Sequence, residues 1–335
     1  MKILLKHKSK KILRQLRAPT GLFVAGGNPE KTHYAHQAWI RDSIYQAIGV
    51  EQFNMAEAIQ TYQALLDVLL KHEYKIDWAI REKPDAKHKY IHARYHPITF
   101  DEFDQDWGNK QNDAVGALLF KIGELHEKRV SVLRDSNDYR IVQKLVYYLE
   151  SIQYWKDCDN GVWEENEEVH ASSVGACVAG LIKIQKLVYV PDELYLKGLE
   201  TLNALLPRES ASKEVDLALL SLIYPYKIVT PEQCDAILQN IEQKLVREKG
   251  VLRYLGDCYF NYEGKEASWT MGFPWLAKIY KDLGNKEKYN HYLAKTHEVM
   301  TTDGELPELY LGDGEKFNEN TPLGWAQAMY LVAVS

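Results

Sequence analysis

Cysteine is scarce, at 4 of 335 residues, and Cys158, Cys177, Cys234 and Cys258 form no C-x-x-C pair. That spacing excludes a disulfide framework and a paired-cysteine zinc site, and reduced thiols fit a cytoplasmic location. Glycine and proline are also few, 20 and 11 residues. Their low share excludes collagen-like and low-complexity classes, and no Pro/Ser/Gly-rich linker divides the chain. No stretch approaches the ~18 consecutive apolar residues of a membrane span. Positive charge is in the minority, 41 Lys and Arg against 47 Asp and Glu, so a nucleic-acid partner is not expected. The exception is residues 1–17, with seven Lys or Arg and no acid. This segment lacks the apolar run of about 7–15 residues that a secretory signal carries. Ile3, Leu4, Leu5, Ile12, Leu13 and Leu16 fit one stripe of an amphipathic helix. Packing of that helix on the body is expected, with contact to a membrane surface as the alternative.

What remains is an ordinary globular load of 46% hydrophobic and 26% charged residues, with an excess of aromatics: 22 Tyr and 8 Trp. The dominant pattern is helical. Met55, Ile59, Tyr62, Leu66 and Leu69 recur at three- and four-residue steps, as do Ile141, Leu145, Tyr148 and Ile152, and Ile237, Ile241 and Leu245. Thr230-Pro231 reads as a helix start and Gly284-Asn285 as a stop between helices 268–283 and 286–300. A last helix is expected over 322–334. The count is eleven or twelve helices, with short β pieces near 22–25 and 251–259 and long loops at about 75–109 and 301–320. Paired helices of this length predict an all-α toroid of inner and outer rings, with residues 1–335 as a single domain.

Five clusters mix polar and aromatic residues where a core helix would be apolar. Trp39-Ile40-Arg41-Asp42 reads as a ligand contact or a surface ion pair. Trp107-Gly108-Asn109-Lys110-Gln111-Asn112-Asp113 offers a flat apolar face beside amides and a carboxylate, as a sugar requires, or a polar helix cap. Trp163-Glu164-Glu165 is solvated charge, or a carboxyl whose pKa an indole raises so that it stays a general acid. The fourth is Arg253-Tyr254-Leu255-Gly256-Asp257 with Trp269 and Trp275 downstream. The fifth is Pro307-Glu308-Leu309-Tyr310, followed by Thr321-Pro322-Leu323-Gly324-Trp325.

In order and content these five clusters resemble glycoside hydrolase family 15, the glucoamylase and glucodextranase family, whose module also occurs in phosphorylase kinase regulatory subunits. The resemblance runs from Gly21 to the last helix and implies an (α/α)6 barrel. It implies that Glu164 is the general acid and Glu308 the general base. By the same resemblance Trp39, Arg41, Asp42, Trp107, Gln111, Asp113, Trp163, Glu165, Arg253, Tyr254 and Trp325 contact or frame the sugar. The aromatic that many members carry just ahead of Trp-x-Arg-Asp is out of step here, with Ala35 and Gln37 in its place and Tyr34 and His36 beside it.

The implied activity is inverting hydrolysis of an α-glucosidic bond from the non-reducing end of a short oligosaccharide or α-glucan, with no metal or organic cofactor. A trehalase or glucodextranase specificity would use the same carboxylates. The competing class is a non-catalytic, sugar-binding regulatory module on the same fold. No appended starch-binding module is evident, which favours small intracellular substrates.

Overall fold

The computed structural model describes residues 2–28, 30–105, 107–312 and 314–335. Among them thirteen α-helices follow in chain order. They are α1 (Lys2–Leu16), α2 (Ile40–Glu51), α3 (Met55–Lys71), α4 (Glu73–Arg81), α5 (Asn112–Glu127), α6 (Ser136–Ile152) and α7 (Ala171–Ile184). After these come α8 (Asp192–Leu205), α9 (Leu220–Ile223), α10 (Pro231–Lys244), α11 (Gly272–Asp282), α12 (Lys286–Glu298) and α13 (Gly324–Val334).

Burial sorts them into two rings. In α2, α5, α7, α9, α11 and α13 nearly every residue is buried, so these six form the inner ring. Each touches the next, and α13 closes on α2. Helices α1, α3, α6, α8, α10 and α12 bury one face only and make the outer ring, while α4 is an extra helix laid on α6. This is the expected all-α (α/α)6 barrel. The outer-ring pattern follows from sequence: in α6 the residues Ile141, Val142, Leu145, Val146, Leu149 and Ile152 are each 0% exposed, at helical spacing. Truncating any one leucine there to alanine costs about 2–5 kcal/mol.

Inner helices touch closely only where side chains are small. A Cβ on Gly116 of α5 would lie 2.4 Å from the Ala176 carbonyl carbon of α7, and one on Gly180 would lie 2.4 Å from the Gly116 oxygen. Thr230 caps α10 in a reciprocal capping box with Gln233, with Pro231 at the first helical position, as the sequence predicts. Gly284 ends α11 at φ +73°, and Asn285 caps α12.

Several sequence expectations need correction. The strands are elsewhere than 22–25 and 251–259: β1 (Ala38–Trp39) pairs antiparallel with β2 (Arg94–Tyr95), and β3 (Ser268–Trp269) with β4 (Leu309–Tyr310). In these segments Phe23 and Tyr254 make one isolated bridge each and Val251 makes two, to Val246 and Trp269, which do not extend into a strand. The loop expected from 75 begins only after Arg81, because Glu73 and Asp77 pair with Arg140 and Lys144 of α6 and fix α4. Residues 268–269 are strand, and α11 starts at Gly272; the last helix starts at Gly324. In α1 only part of the apolar stripe is used. Ile12, Leu13 and Leu16 are buried toward α13 and α2, whereas Ile3 and Leu4 are 88% and 60% exposed. Among the described residues no helix is long and apolar enough to cross a membrane. The four cysteines are unpaired thiols.

Candidate active site

Five of the inner helices, α2, α5, α7, α11 and α13, present their N-terminal ends or the residues just before them to a cavity of about 200 Å³. Arg41 and Asp42 stand in the first turn of α2, and Gln111 precedes α5. The loop carrying Glu164 precedes α7, Trp269 lies just before α11, and Trp325 is the second residue of α13. Helix N-termini carry partial positive charge, which suits a site built from carboxylates.

Ten of the thirteen residues singled out in sequence line the cavity: Trp39, Arg41, Asp42, Trp107, Trp163, Glu164, Glu165, Arg253, Glu308 and Trp325. The other three stand behind its wall. Asp113 pairs with Arg41 (2.5 Å), Gln111 accepts from Arg41 (2.6 Å) and donates to Glu164 (2.5 Å), and the Tyr254 hydroxyl donates to Glu165 (2.5 Å). Trp275 lies deeper, donating its indole N–H to the Tyr224 carbonyl (2.8 Å) and packing on Trp325.

Glu164 and Glu308, 144 positions apart, line the same cavity. Glu164 accepts hydrogen bonds from the indole N–H of Trp107 and the amide of Gln111. Burial raises its pKa, against the pull of Arg41, those two donors and Arg94. This corrects the sequence expectation about the indole: the ring at Glu164 is Trp107. Trp163 instead donates to Asp216 (2.8 Å) and packs on Trp269. An N–H donor also favours the ionised carboxyl, so desolvation alone supplies the upward shift.

Glu308 is 1% exposed and accepts from the side-chain amides of Asn318 and Asn320. Burial raises its pKa too, opposed by the two asparagines, Arg253 and the Tyr34 hydroxyl. The β3–β4 pair fixes its backbone, with the Thr270 N–H donating to the Glu308 carbonyl (3.2 Å). Asp42, between them, is pushed up to about 7 by burial, with Arg41 opposing and Glu164 and Glu308 adding to the rise.

Two arginines organise the walls. Arg41 is held by Asp113, Gln111 and the Val162 carbonyl (2.9 Å). Burial lowers its pKa, but Asp113 outweighs that and holds it above the ordinary value. Arg253 grips Asp257 through two bonds (2.7 and 2.6 Å), reaches Glu165 (2.6 Å), and lies within 5.4 Å of the rings of Trp163, Tyr259 and Trp269.

The loop carrying Glu164 is shaped by backbone constraints. Glu164 has φ +62°, a left-handed conformation that costs a non-glycine residue about 1 kcal/mol or more. Gly108 lets the Trp107 segment close on it: a Cβ there would sit 2.7 Å from the Glu164 carbonyl oxygen. Gly161, also at φ +62°, leaves no room for a Cβ beside the His170 ring. Beneath the loop, His170 faces Glu209 (3.4 Å), and Glu209 accepts from the Ser172 backbone and hydroxyl (3.1 and 2.5 Å).

Sequence reading missed several members of the site. A 3-10 turn at His33–His36 brings Tyr34, which was out of step in sequence, against Trp39 (5.2 Å between centroids), with its hydroxyl 3.4 Å from that of Tyr259. So the cavity has its aromatic ahead of Trp-x-Arg-Asp after all. Tyr259, Ala25, Val162 and Leu323 line it as well, and Asn318, Asn320 and Arg94 act from behind. Leu323 stands in the fifth cluster and Val162 adjoins the third, whereas Tyr259, Asn318, Asn320 and Arg94 sit in no recognisable motif. Among the described residues no cluster of three or more His, Cys, Asp or Glu has the arrangement of a metal site.

With this geometry in view, the family is plain: residues 2–245 match glycosyl hydrolases family 15, and the chain belongs to that family. A probable phosphorylase b kinase regulatory subunit alpha from Caenorhabditis elegans is 26% identical over 91% of this chain, which spans 31% of that relative. Other curated relatives are spanned to a similar degree, about 30% of the skeletal muscle alpha isoform of Oryctolagus cuniculus. Among solved structures, a wild-type glycosidase superposes with TM-score 0.82 at 20% identity, covering 98% of this chain and 95% of that one. The glucoamylase from Saccharomycopsis fibuligera gives 0.68 at 17% identity, covering 98% and 93%. At these identities the likenesses establish the fold.

Proposed function

We propose that this chain is an inverting exo-α-glucosidase of glucoamylase type, acting on the non-reducing end of a short α-glucan or gluco-oligosaccharide. The observation that carries the reading is that two glutamates, the half-buried Glu164 and the buried Glu308, line one small aromatic cavity with a separate set of donors for each. A cavity of about 200 Å³ has the size of a single hexose, which suits release of one sugar from a chain end.

In this mechanism protonated Glu164 is the acid. Burial raises its pKa against the two N–H donors, and the protonated carboxyl hands its proton to the leaving oxygen. Glu308, met by two amides and a phenol, is the base that draws a proton from water on the opposite face of the sugar. Asp42 and Arg253 hold hydroxyls by charge-assisted bonds, and Trp39, Trp163 and Trp325 present apolar surface to the ring. The functional unit is taken as residues 1–335, α1 included.

A second reading has its own support, because the curated relatives are kinase regulatory subunits: a sugar-binding module with no turnover. Proton NMR of the anomeric signals separates the two, with maltotriose, isomaltotriose, trehalose and kojibiose incubated separately. Early β-glucose from one substrate, abolished in Glu164→Gln and in Glu308→Gln, is the expected result and names the linkage. Early α-glucose refutes inversion. Saturable sugar binding without turnover, unaltered in both variants, selects the regulatory reading.

A further inference from the structure

Arg94 is 0% exposed, yet among the described residues it has no ion-pair partner. Its two terminal nitrogens donate to neutral amides, Gln37 Oε1 and Gln105 Oε1, each at 2.8 Å, and its Nε has no acceptor. The guanidinium carbon lies 4.3 Å from the ring centroid of Trp107, 5.8 Å from that of Trp39 and 5.9 Å from that of Phe103. Its backbone is fixed by the β1–β2 pair, where Arg94 stands opposite Trp39.

We propose that Arg94 is a positioning residue of this site: it braces the Trp107 indole on Glu164 and keeps a positive charge beside that carboxyl. The inference rests on the reading of Glu164 as the proton donor. Burying an unpaired charge is expensive, and a hydrocarbon side chain would fill the same space among three aromatic rings without that cost. A guanidinium kept there serves through its charge and its planar face. The guanidinium lies over the ring of Trp107, whose N–H donates to Glu164, so the ring links the two groups mechanically.

The charge acts on few groups. The acidic groups that feel it are Glu164 and the Tyr34 phenol. His92 and His33 also face it, both held below their ordinary pKa chiefly by burial, with Arg94 adding to the fall, so neither competes as a cation near neutral pH. Around Glu164 the other charged neighbours are Arg41, paired with Asp113, and Asp42. Among the described residues Arg94 is therefore a cation near Glu164 with no carboxylate in an ion pair with it. Such a charge stabilises the carboxylate left after proton donation and keeps burial from pushing the acid out of working range.

The test uses the whole chain labelled with carboxyl-13C glutamate and with 15N-tryptophan. Glu164→Gln assigns the Glu164 carbon signal and Trp107→Phe assigns the Trp107 indole. In Arg94→Met the Glu164 titration midpoint moves up on the order of one pH unit, the lower end of what a nearby opposite charge carries, and the Trp107 indole signal shifts or broadens. In Arg94→Lys the charge survives but not the fork or the flat face. The midpoint then stays near that of the parent while the indole signal still moves. A folded Arg94→Met with both signals unchanged overturns the proposal, and so does an Arg94→Lys midpoint displaced as far as that of Arg94→Met. If Arg94→Met does not fold, the lysine variant decides alone: an unchanged indole or a displaced midpoint overturns the proposal. The readout needs no turnover, so a parent protein that hydrolyses nothing but shows this coupling refutes the hydrolase reading and supports the Arg94 assignment.

Discussion

His170 ties the loop of Glu164 to the barrel, and its titration offers a measurable handle on that tie. Burial lowers the imidazole pKa, but the bond to Glu209 and the charge of Asp159 outweigh it, with Lys213 opposing them, and the result is about 9 against an ordinary 6.5. The folded protein thus holds a proton that the unfolded chain has lost anywhere between these values. Where the native state binds more protons, stability falls as pH rises. The contribution is therefore complete below pH 6.5 and is lost as pH climbs through about 9. At ~1.4 kcal/mol per pH unit the window is worth on the order of 3 kcal/mol. With an unfolding entropy of roughly 2 cal/mol/K per residue over 335 residues, that amounts to about 4 °C in Tm. The assay is thermal and urea unfolding of the parent and His170→Gln at pH 6, 7.5 and 9. The parent should lose stability across this range and the variant should lose about 3 kcal/mol less, with the two curves converging at pH 9 and above. Equal slopes in the two proteins, or a parent whose stability is flat over the window, would show that the His170–Glu209 pair is not charged in the native state.

Three further outcomes follow from the same structure. Gly116→Ala should destabilise the fold by about 1–3 kcal/mol in urea unfolding despite the better helix propensity of alanine, because its Cβ meets the α7 backbone at 2.4 Å. Arg253→Met leaves Asp257, 0% exposed, without its cation and should cost about 3–5 kcal/mol; adding Asp257→Asn should return part of it, read as a positive coupling in a double-mutant cycle. Asp42 titrates near 7, and a sugar hydroxyl donates better to its ionised form. Glucose binding measured by calorimetry should therefore tighten by up to about tenfold from pH 6 to 8, and Asp42→Asn should flatten that rise.

Much of the fold was legible because inner and outer helices obey simple local rules. The α6 stripe, the Thr230 capping box and the Gly284 stop are each set by residues within one or two turns of each other. Errors fell where distant chain segments decide the outcome. Helix α4 is held by contacts with α6, where Glu73 and Asp77 pair with Arg140 and Lys144, and by the burial of Ile76 and Ala79. The two-residue strands exist only because Trp39 meets Arg94 and Trp269 meets Leu309 across 55 and 40 positions of sequence. The site divides the same way. Its motif residues were visible as aromatic–carboxylate clusters, but Tyr34, Tyr259, Asn318 and Asn320 lie in loops whose register no periodicity fixes.

The sequence by itself determined the helices, their caps and faces, and the inventory of carboxylates, arginines and indoles available for chemistry, since these depend on residue type and short-range spacing. Only the tertiary structure decided which indole meets Glu164, that Arg94 lies over Trp107 and bonds neutral amides, and that Glu164 and Glu308 line one cavity. Ring closure makes those choices. Side chains far apart along the chain become neighbours when the N-terminal ends of the inner helices α2, α5, α7, α11 and α13 converge on one cavity, and the burial that follows shifts their protonation.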